Sequence, residues 1–371
     1  MSASRDASAV PSHRRAPSHR RKAPQRARSH RGSRRRRRKK SKAPLLSVVG
    51  AVLAAVGGGV WWTSGGVDGA QEARMGEAVS ATSIPDGAKA GAEGAVEPTP
   101  APSATPTPTP TLPLADPRPQ RILTETMAAA FAKALPRPSG EFALGVRDVE
   151  TGAFATAGDI GHRFPTASIV KPHILAALLL KAQEEGRDLT AVERGHASPM
   201  IRKSANDATD ALWDAVGQEA ALNATYARLG LTETTSNRAW GLTETSVTDQ
   251  VRFVAGLYDE DSPLDADSRA YLLELMSTLD MGNIVGGVHT VADRGTRYPA
   301  KDGWLPRDAD GRWVINSYGR ISVKGRLFDV AFLSEHQVNR PAGAAQGDAA
   351  LRAVLPAVSR ALTEAEEAGE Y

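Results

Sequence analysis

The 371-residue chain contains no cysteine. Disulfide staples and lipid attachment through a cysteine are excluded, so a domain lying outside the cell has to rely on its own core. A Gly-x-Ser-x-Gly elbow, a His-Glu-x-x-His pair and a Walker phosphate loop are also missing. Those absences set aside the α/β-hydrolase, zinc-peptidase and nucleotide-binding classes. Five histidines occur beyond residue 121, at 162, 173, 196, 289 and 336, without metal-ligand spacing. No metal and no cofactor are expected. Excess positive charge is scarce over most of the chain as well. Residues 1–43 carry 17 Lys and Arg against the single acid Asp6, a net of +16, while the whole chain is only +4, which leaves −12 for the remainder.

The charge asymmetry belongs to a topology signal. RRRRRKK at 34–40 is followed by LLSVVGAVLAAVGGGVWW at 45–62, uncharged and of the length that crosses a hydrocarbon core. Residues 1–43 read as a basic, disordered cytoplasmic tail and residues 44–63 as a transmembrane signal-anchor, with Trp61 and Trp62 at the outer interface. A cleaved signal peptide is the alternative, with a weak cleavage site near Ala78–Ala81. Arginine-rich arms also bind phosphate, but beside an apolar span the run is more simply a contact with anionic lipid, and nucleic acid is not an expected partner. Residues 64–120, ending in EPTPAPSATPTPTPTLPLADPRPQ, form an Ala/Gly- then Pro/Thr-rich linker that is extended at roughly 3 Å per residue. The expected location is a single-pass protein of the cell membrane, its last domain extracytoplasmic.

Residues 121–371 are long enough for one sizeable core. Periodicity predicts helices over 122–135, 168–185, 205–216, 218–229, 246–259, 266–279 and 346–368, and strands over 141–148, 152–157, 298–303, 312–324 and 327–334. Two strands, a block of helices, then three strands and a helix predict an α+β fold. An antiparallel sheet is flanked by helices and carries an inserted all-helical subdomain.

Within this domain three short motifs follow one another: Ser168-Ile-Val-Lys171, Ser204-Ala-Asn206 and Lys301-Asp302-Gly303. A serine hydroxyl attacks only when a base takes its proton, and a lysine serves only as the neutral amine. On a helix, positions i and i+3 place Ser168 and Lys171 on one face, Pro172 is tolerated in a first turn, and burial with a second cation at Lys301 lowers the amine pKa. The same residues also suit plain structural roles: Ser168 as a helix cap, Ser204 and Asn206 in a turn, Lys301-Asp302-Gly303 in a hairpin.

The ordered set resembles the Ser-x-x-Lys, Ser-x-Asn, Lys-Thr-Gly motifs of the class A β-lactamases and penicillin-binding proteins. The resemblance implies Ser168 as acylated nucleophile, Lys171 as general base and Ser204 as proton relay. Asn206, Lys301, Asp302, Gly303 and Trp304 would bind substrate, with the backbone N–H groups of Ser168 and Trp304 as oxyanion hole. The implied partner is a β-lactam or a cell-wall D-alanyl peptide, and a non-catalytic binding role is the contrasting reading. Trp304 is the one tryptophan assigned to the site, while Trp240 and Trp313 also suit core positions.

The sequence departs from the family pattern in three places. Nucleophile and second motif are 36 residues apart, a shorter interval than class A enzymes carry. The candidate deacylation base, Glu244, stands directly before the next helix, where it also suits a first-turn acid, instead of on a long omega-shaped loop. Asp302 stands where Thr or Ser is usual. An acid there repels a substrate carboxylate by about 1 to 4 kcal/mol at contact distance, unless it pairs with Lys301 or an arginine.

Overall fold

A computed structural model describes residues 117–280, 287–295, 298–307 and 309–371. The basic tail, the expected membrane span and nearly all of the linker lie outside the described residues. Among the described residues no helix is long and apolar enough to cross a membrane.

Helix α1 spans Pro117–Ala134 and takes in the last four residues of the expected linker, its prolines in the first turn where a missing N–H costs nothing. Leu123, Met127 and Phe131, spaced by four, form its buried stripe. Strands β1 (Glu141–Asp148) and β2 (Phe154–Gly158) follow as a hairpin. A two-residue strand β3 (Phe164–Pro165) leads into a 3₁₀ turn, Ala167–Val170, and then α2 (Lys171–Glu184). Four further helices are α3 (Ala191–Arg202), α4 (Asn206–Val216), α5 (Gln218–Arg228) and, after the short β4 (Glu244–Thr245), α6 (Val247–Gly256). Helix α7 (Ala266–Met276) completes the helical block before β5 (Ala300–Pro306), β6 (Trp313–Val323), β7 (Arg326–Glu335) and the C-terminal α8 (Arg340–Glu367).

The five long strands form one antiparallel sheet in the order β2-β1-β7-β6-β5, so the last three strands continue the first hairpin and β5 is an edge. Both faces are covered. One packs on α1 and α8 through Phe142, Phe328, Phe332, Leu351 and Val354, and the other on the helical block through Tyr318, Leu333, Ile174 and Val251. That double burial explains why β7 is buried almost throughout instead of alternating between buried and exposed positions.

The α+β architecture with an inserted helical block is as the sequence predicts, and two details differ. Helix α3 escaped the periodicity because Gly195 and Pro199 interrupt it, yet a capping box closes its start, with Thr190 accepting from Glu193 N–H and the Glu193 carboxylate accepting from Thr190 N–H. Ser168 does not open an α-helix but sits one turn earlier, in the 3₁₀ segment.

Candidate active site

The site forms where the N-terminus of α2, the start of α4 and strand β5 meet. Ser168 lies in the 3₁₀ turn and Lys171 follows directly after it, at i and i+3, with no hydrogen bond joining their side chains. The turn is bent by Ala167, whose φ of +50° is unusual for a residue with a Cβ. Two buried side chains of β6 hold it there. Asn316 Nδ2 donates to the carbonyls of Pro165 (2.8 Å) and Thr166 (3.0 Å), and Tyr318 Oη donates to Ile169 O (3.1 Å). Gly303, the cross-strand partner of Asn316, packs against the same turn. A Cβ at 303 would lie 2.8 Å from the backbone nitrogens of Ser168 and Ile169, so glycine alone fits that approach.

Lys171 is fully buried and makes three hydrogen bonds, to Ser204 O (2.5 Å), Asn206 Oδ1 (2.8 Å) and Ser204 Oγ (3.1 Å). Lys301 Nζ reaches Ser204 Oγ from the other side at 3.2 Å and also binds Asp302 O at 2.8 Å. Ser204 Oγ therefore lies between two buried amines, on a backbone held at φ +57°. Burial drives the Lys171 pKa well below its ordinary value and the Lys301 charge adds to this, against the opposing pull of Asp210 and Asp207. Burial brings Lys301 down to about 8, with Asp302 acting in the opposite direction. A lysine whose pKa is pushed down beside a serine meets a condition for general-base chemistry.

Asp302 points to the other face of β5, as strand alternation requires. Among the described residues neither Lys301 Nζ nor an arginine binds its carboxylate. Oδ1 accepts from Ser317 Oγ at 2.5 Å, and Oδ2 lies 3.5 Å from His289 Nδ1. Gly287 passes directly over this pair, and a Cβ there would stand 2.5 Å from Asp302 Oδ1. Burial raises the Asp302 pKa; His289, Ser317 and Lys301 oppose the rise, and Asp348 reinforces it.

The other assigned residues divide. Trp304 shares the face of β5 with Asp302, and its indole stacks under the Arg340 guanidinium at 3.7 Å, although it borders the small cavity beside Ser204 and Lys301. Glu244 is exposed in β4, opposite Pro165, and is not the first-turn acid of α6, a place taken by Asp249. His162 binds Glu335 at 3.0 Å, and His173 is enclosed by Phe253, Tyr226 and Tyr318, where burial pushes its ring down to about 3. Among the described residues no cluster of acids and histidines could hold a metal ion.

Sequence reasoning passed over Asn316 and Tyr318 and set Trp240 aside in favour of Trp304, and the fold brings all three here. The Trp240 ring centroid lies 5.0 Å from Lys171 Nζ, and its Nε1 donates to Asp210 Oδ1 at 2.8 Å. No local motif marks any of the three, since each arrives by long-range pairing.

The domain has a class A β-lactamase-like fold. The TLA-1 extended-spectrum β-lactamase superposes with a TM-score of 0.54 at 17% identity, covering 62% of this chain and 99% of its own. A β-lactamase from Xanthomonas campestris pv. campestris gives 0.55 at 19%, covering 65% and 98%. A point mutant of PBP-A, in its acyl-enzyme complex with penicillin G, gives 0.52 at 22%, covering 66% and 96%. A family model described as the β-lactamase enzyme family matches residues 195–354, a range that includes Ser204 and Lys301 and begins after Ser168. Among curated proteins no relative matches. The family match over residues 195–354 and the shared fold are what this domain has in common with the β-lactamases and PBP-A.

Proposed function

We propose that the chain is a membrane-anchored, extracytoplasmic serine hydrolase that forms an acyl-enzyme on Ser168 with a β-lactam or a related amide. The observation that carries this reading is the placement of Ser204 Oγ between Lys171 Nζ and Lys301 Nζ, at 3.1 and 3.2 Å. Neutral Lys171 takes the Ser168 proton as Oγ attacks the amide carbonyl. The resulting oxyanion faces the backbone N–H groups of Ser168 and Trp304. Ser204 then passes a proton to the leaving nitrogen, and charged Lys301 favours the developing negative charge, while Asn206 fixes the Lys171 amine through its Oδ1.

One observation favours a long-lived acyl-enzyme, as in a penicillin-binding peptidase acting on D-alanyl peptides, over rapid hydrolysis. All three hydrogen bonds of Lys171 go to Ser204 and Asn206, none to a carboxylate, and Glu244 is exposed in β4. Incubating the full-length protein with penicillins and a chromogenic cephalosporin, with intact-mass detection and a Ser168→Ala control, tests the reading. A Ser168-dependent adduct is the expected result, and turnover or adduct in the alanine variant refutes it. The anchor at residues 45–62 predicts that an external protease releases the domain from intact cells.

A further inference from the structure

Trp240 occupies a position that acyl-enzyme formation alone does not require. Its 3₁₀ turn, Trp240–Leu242, is pinned to the nucleophile turn. Leu242 packs on Ala167, and Thr166 N–H donates to Thr243 O at 2.8 Å. The indole is 6% exposed, locked to Asp210 through Nε1, and set 5.0 Å from Lys171 Nζ. The amine thus has polar acceptors at Ser204 and Asn206 and an aromatic ring beside them.

We infer that Trp240 is a positioning residue that screens Lys171 from water once Ser168 is acylated, and so sets the lifetime of the acyl-enzyme. The inference rests on the acylation of Ser168 proposed above. Hydrolysis of that ester adds a water oxygen to the acyl carbon and hands the water's proton to Lys171. The bond from the acyl carbon to Ser168 Oγ then breaks as Oγ takes a proton back, freeing a carboxylic acid and the serine. The base for the first step is the amine that the indole covers. An apolar ring packed there keeps the attacking water out of reach of the base while leaving Ser168, three residues earlier, able to reach it from within the protein.

The test uses the full-length protein with benzylpenicillin as probe and follows growth and decay of the Ser168 adduct by intact mass in wild type, Trp240→Phe and Trp240→Ala. Trp240→Ala should shorten the adduct's life by about tenfold or more, approaching the range that general-base assistance contributes, whereas Trp240→Phe, which keeps a ring, should stay within about threefold of wild type. A purely structural role would lower the melting temperature and slow acylation without ever accelerating hydrolysis. Should the alanine variant not fold, Trp240→Leu carries the comparison, with an expected acceleration of about threefold. Equal decay of wild-type and variant adducts overturns the inference and leaves acylation standing. Absence of any wild-type adduct overturns the acylation reading, and the inference with it.

Discussion

Asn316 Nδ2 holds the Thr166 carbonyl at 3.0 Å, two residues before the proposed nucleophile and 150 residues away in sequence. With the companion bond to Pro165 O and the Tyr318 bond to Ile169 O, it fixes the turn that aims the Ser168 N–H. Asn316→Ala should slow acylation by about 10²-fold, the size of effect seen when an oxyanion donor is lost. Tyr318→Phe removes one hydroxyl and should cost about 1 kcal/mol of stability with a smaller loss of rate. Stopped-flow acylation and thermal melts check both, and an unchanged Asn316→Ala rate would contradict the assignment.

The two lysines give acylation two pH limbs. Activity rises as Lys171, depressed by burial and by Lys301, loses its proton, and it declines above about pH 8 as Lys301 becomes neutral. Lys301→Met removes a cation near Lys171 and should shift the acidic limb to higher pH while abolishing the alkaline one.

Stability carries the same signature. The folded pKa of Lys301 lies below its unfolded value of 10.5, so the unfolded chain binds more protons between about pH 8 and 10 and wild-type stability gains from Lys301 over that window as pH rises. Above pH 10 the buried hydroxyls of Tyr226 and Tyr318, whose pKa values are raised by burial, reverse the trend. Denaturant titrations of wild type and Lys301→Met should show a difference in slope over pH 8–10, and parallel curves would refute the buried-cation account.

Asp302→Asn removes a buried acid without changing its size. Its carboxyl is buried on the face of β5 opposite Lys301 and bonded to Ser317, away from contact distance with a substrate carboxylate, so the variant should acylate carboxylate-bearing penicillins at a rate within about threefold of wild type. Second-order rate constants for a penicillin and its methyl ester check this, because a repulsion reaching the site would let only the free acid gain.

Gly303→Ala forces a methyl group to 2.8 Å from the Ser168 nitrogen. The expected result is loss of acylation by about 10²-fold or more, since the displaced groups are those aimed at the oxyanion. Mass spectrometry of the penicillin adduct measures it.

Much of this architecture was legible before any coordinates. The order of strands and helices followed from periodicity, and Lys171, Ser204, Asn206 and Lys301 do meet, with the Ser168 backbone nitrogen beside Gly303. What stayed hidden has a common physical origin. Helix α3 is stabilised by its cap and its packing on neighbouring helices more than by a clean apolar period. Asn316, Tyr318 and Trp240 act through contacts across 30 to 150 residues, which no local pattern encodes. Asp302 shows the complementary failure. Its residue type announced a departure, yet only the pairing of β5 with β6 revealed that Ser317 is its partner.

Ala167 and Ser204 both hold positive φ angles that side-chain-bearing residues avoid, each at a cost of order 1 to 3 kcal/mol. Selection for heat resistance alone would relax such positions first, with Ala167→Gly as the simplest route, and every gain in ruggedness so obtained would loosen the aim of the serine. Robustness and reactivity in this chain thus trade against each other at two identifiable residues, which an evolution experiment has to hold fixed if it is to raise one without losing the other.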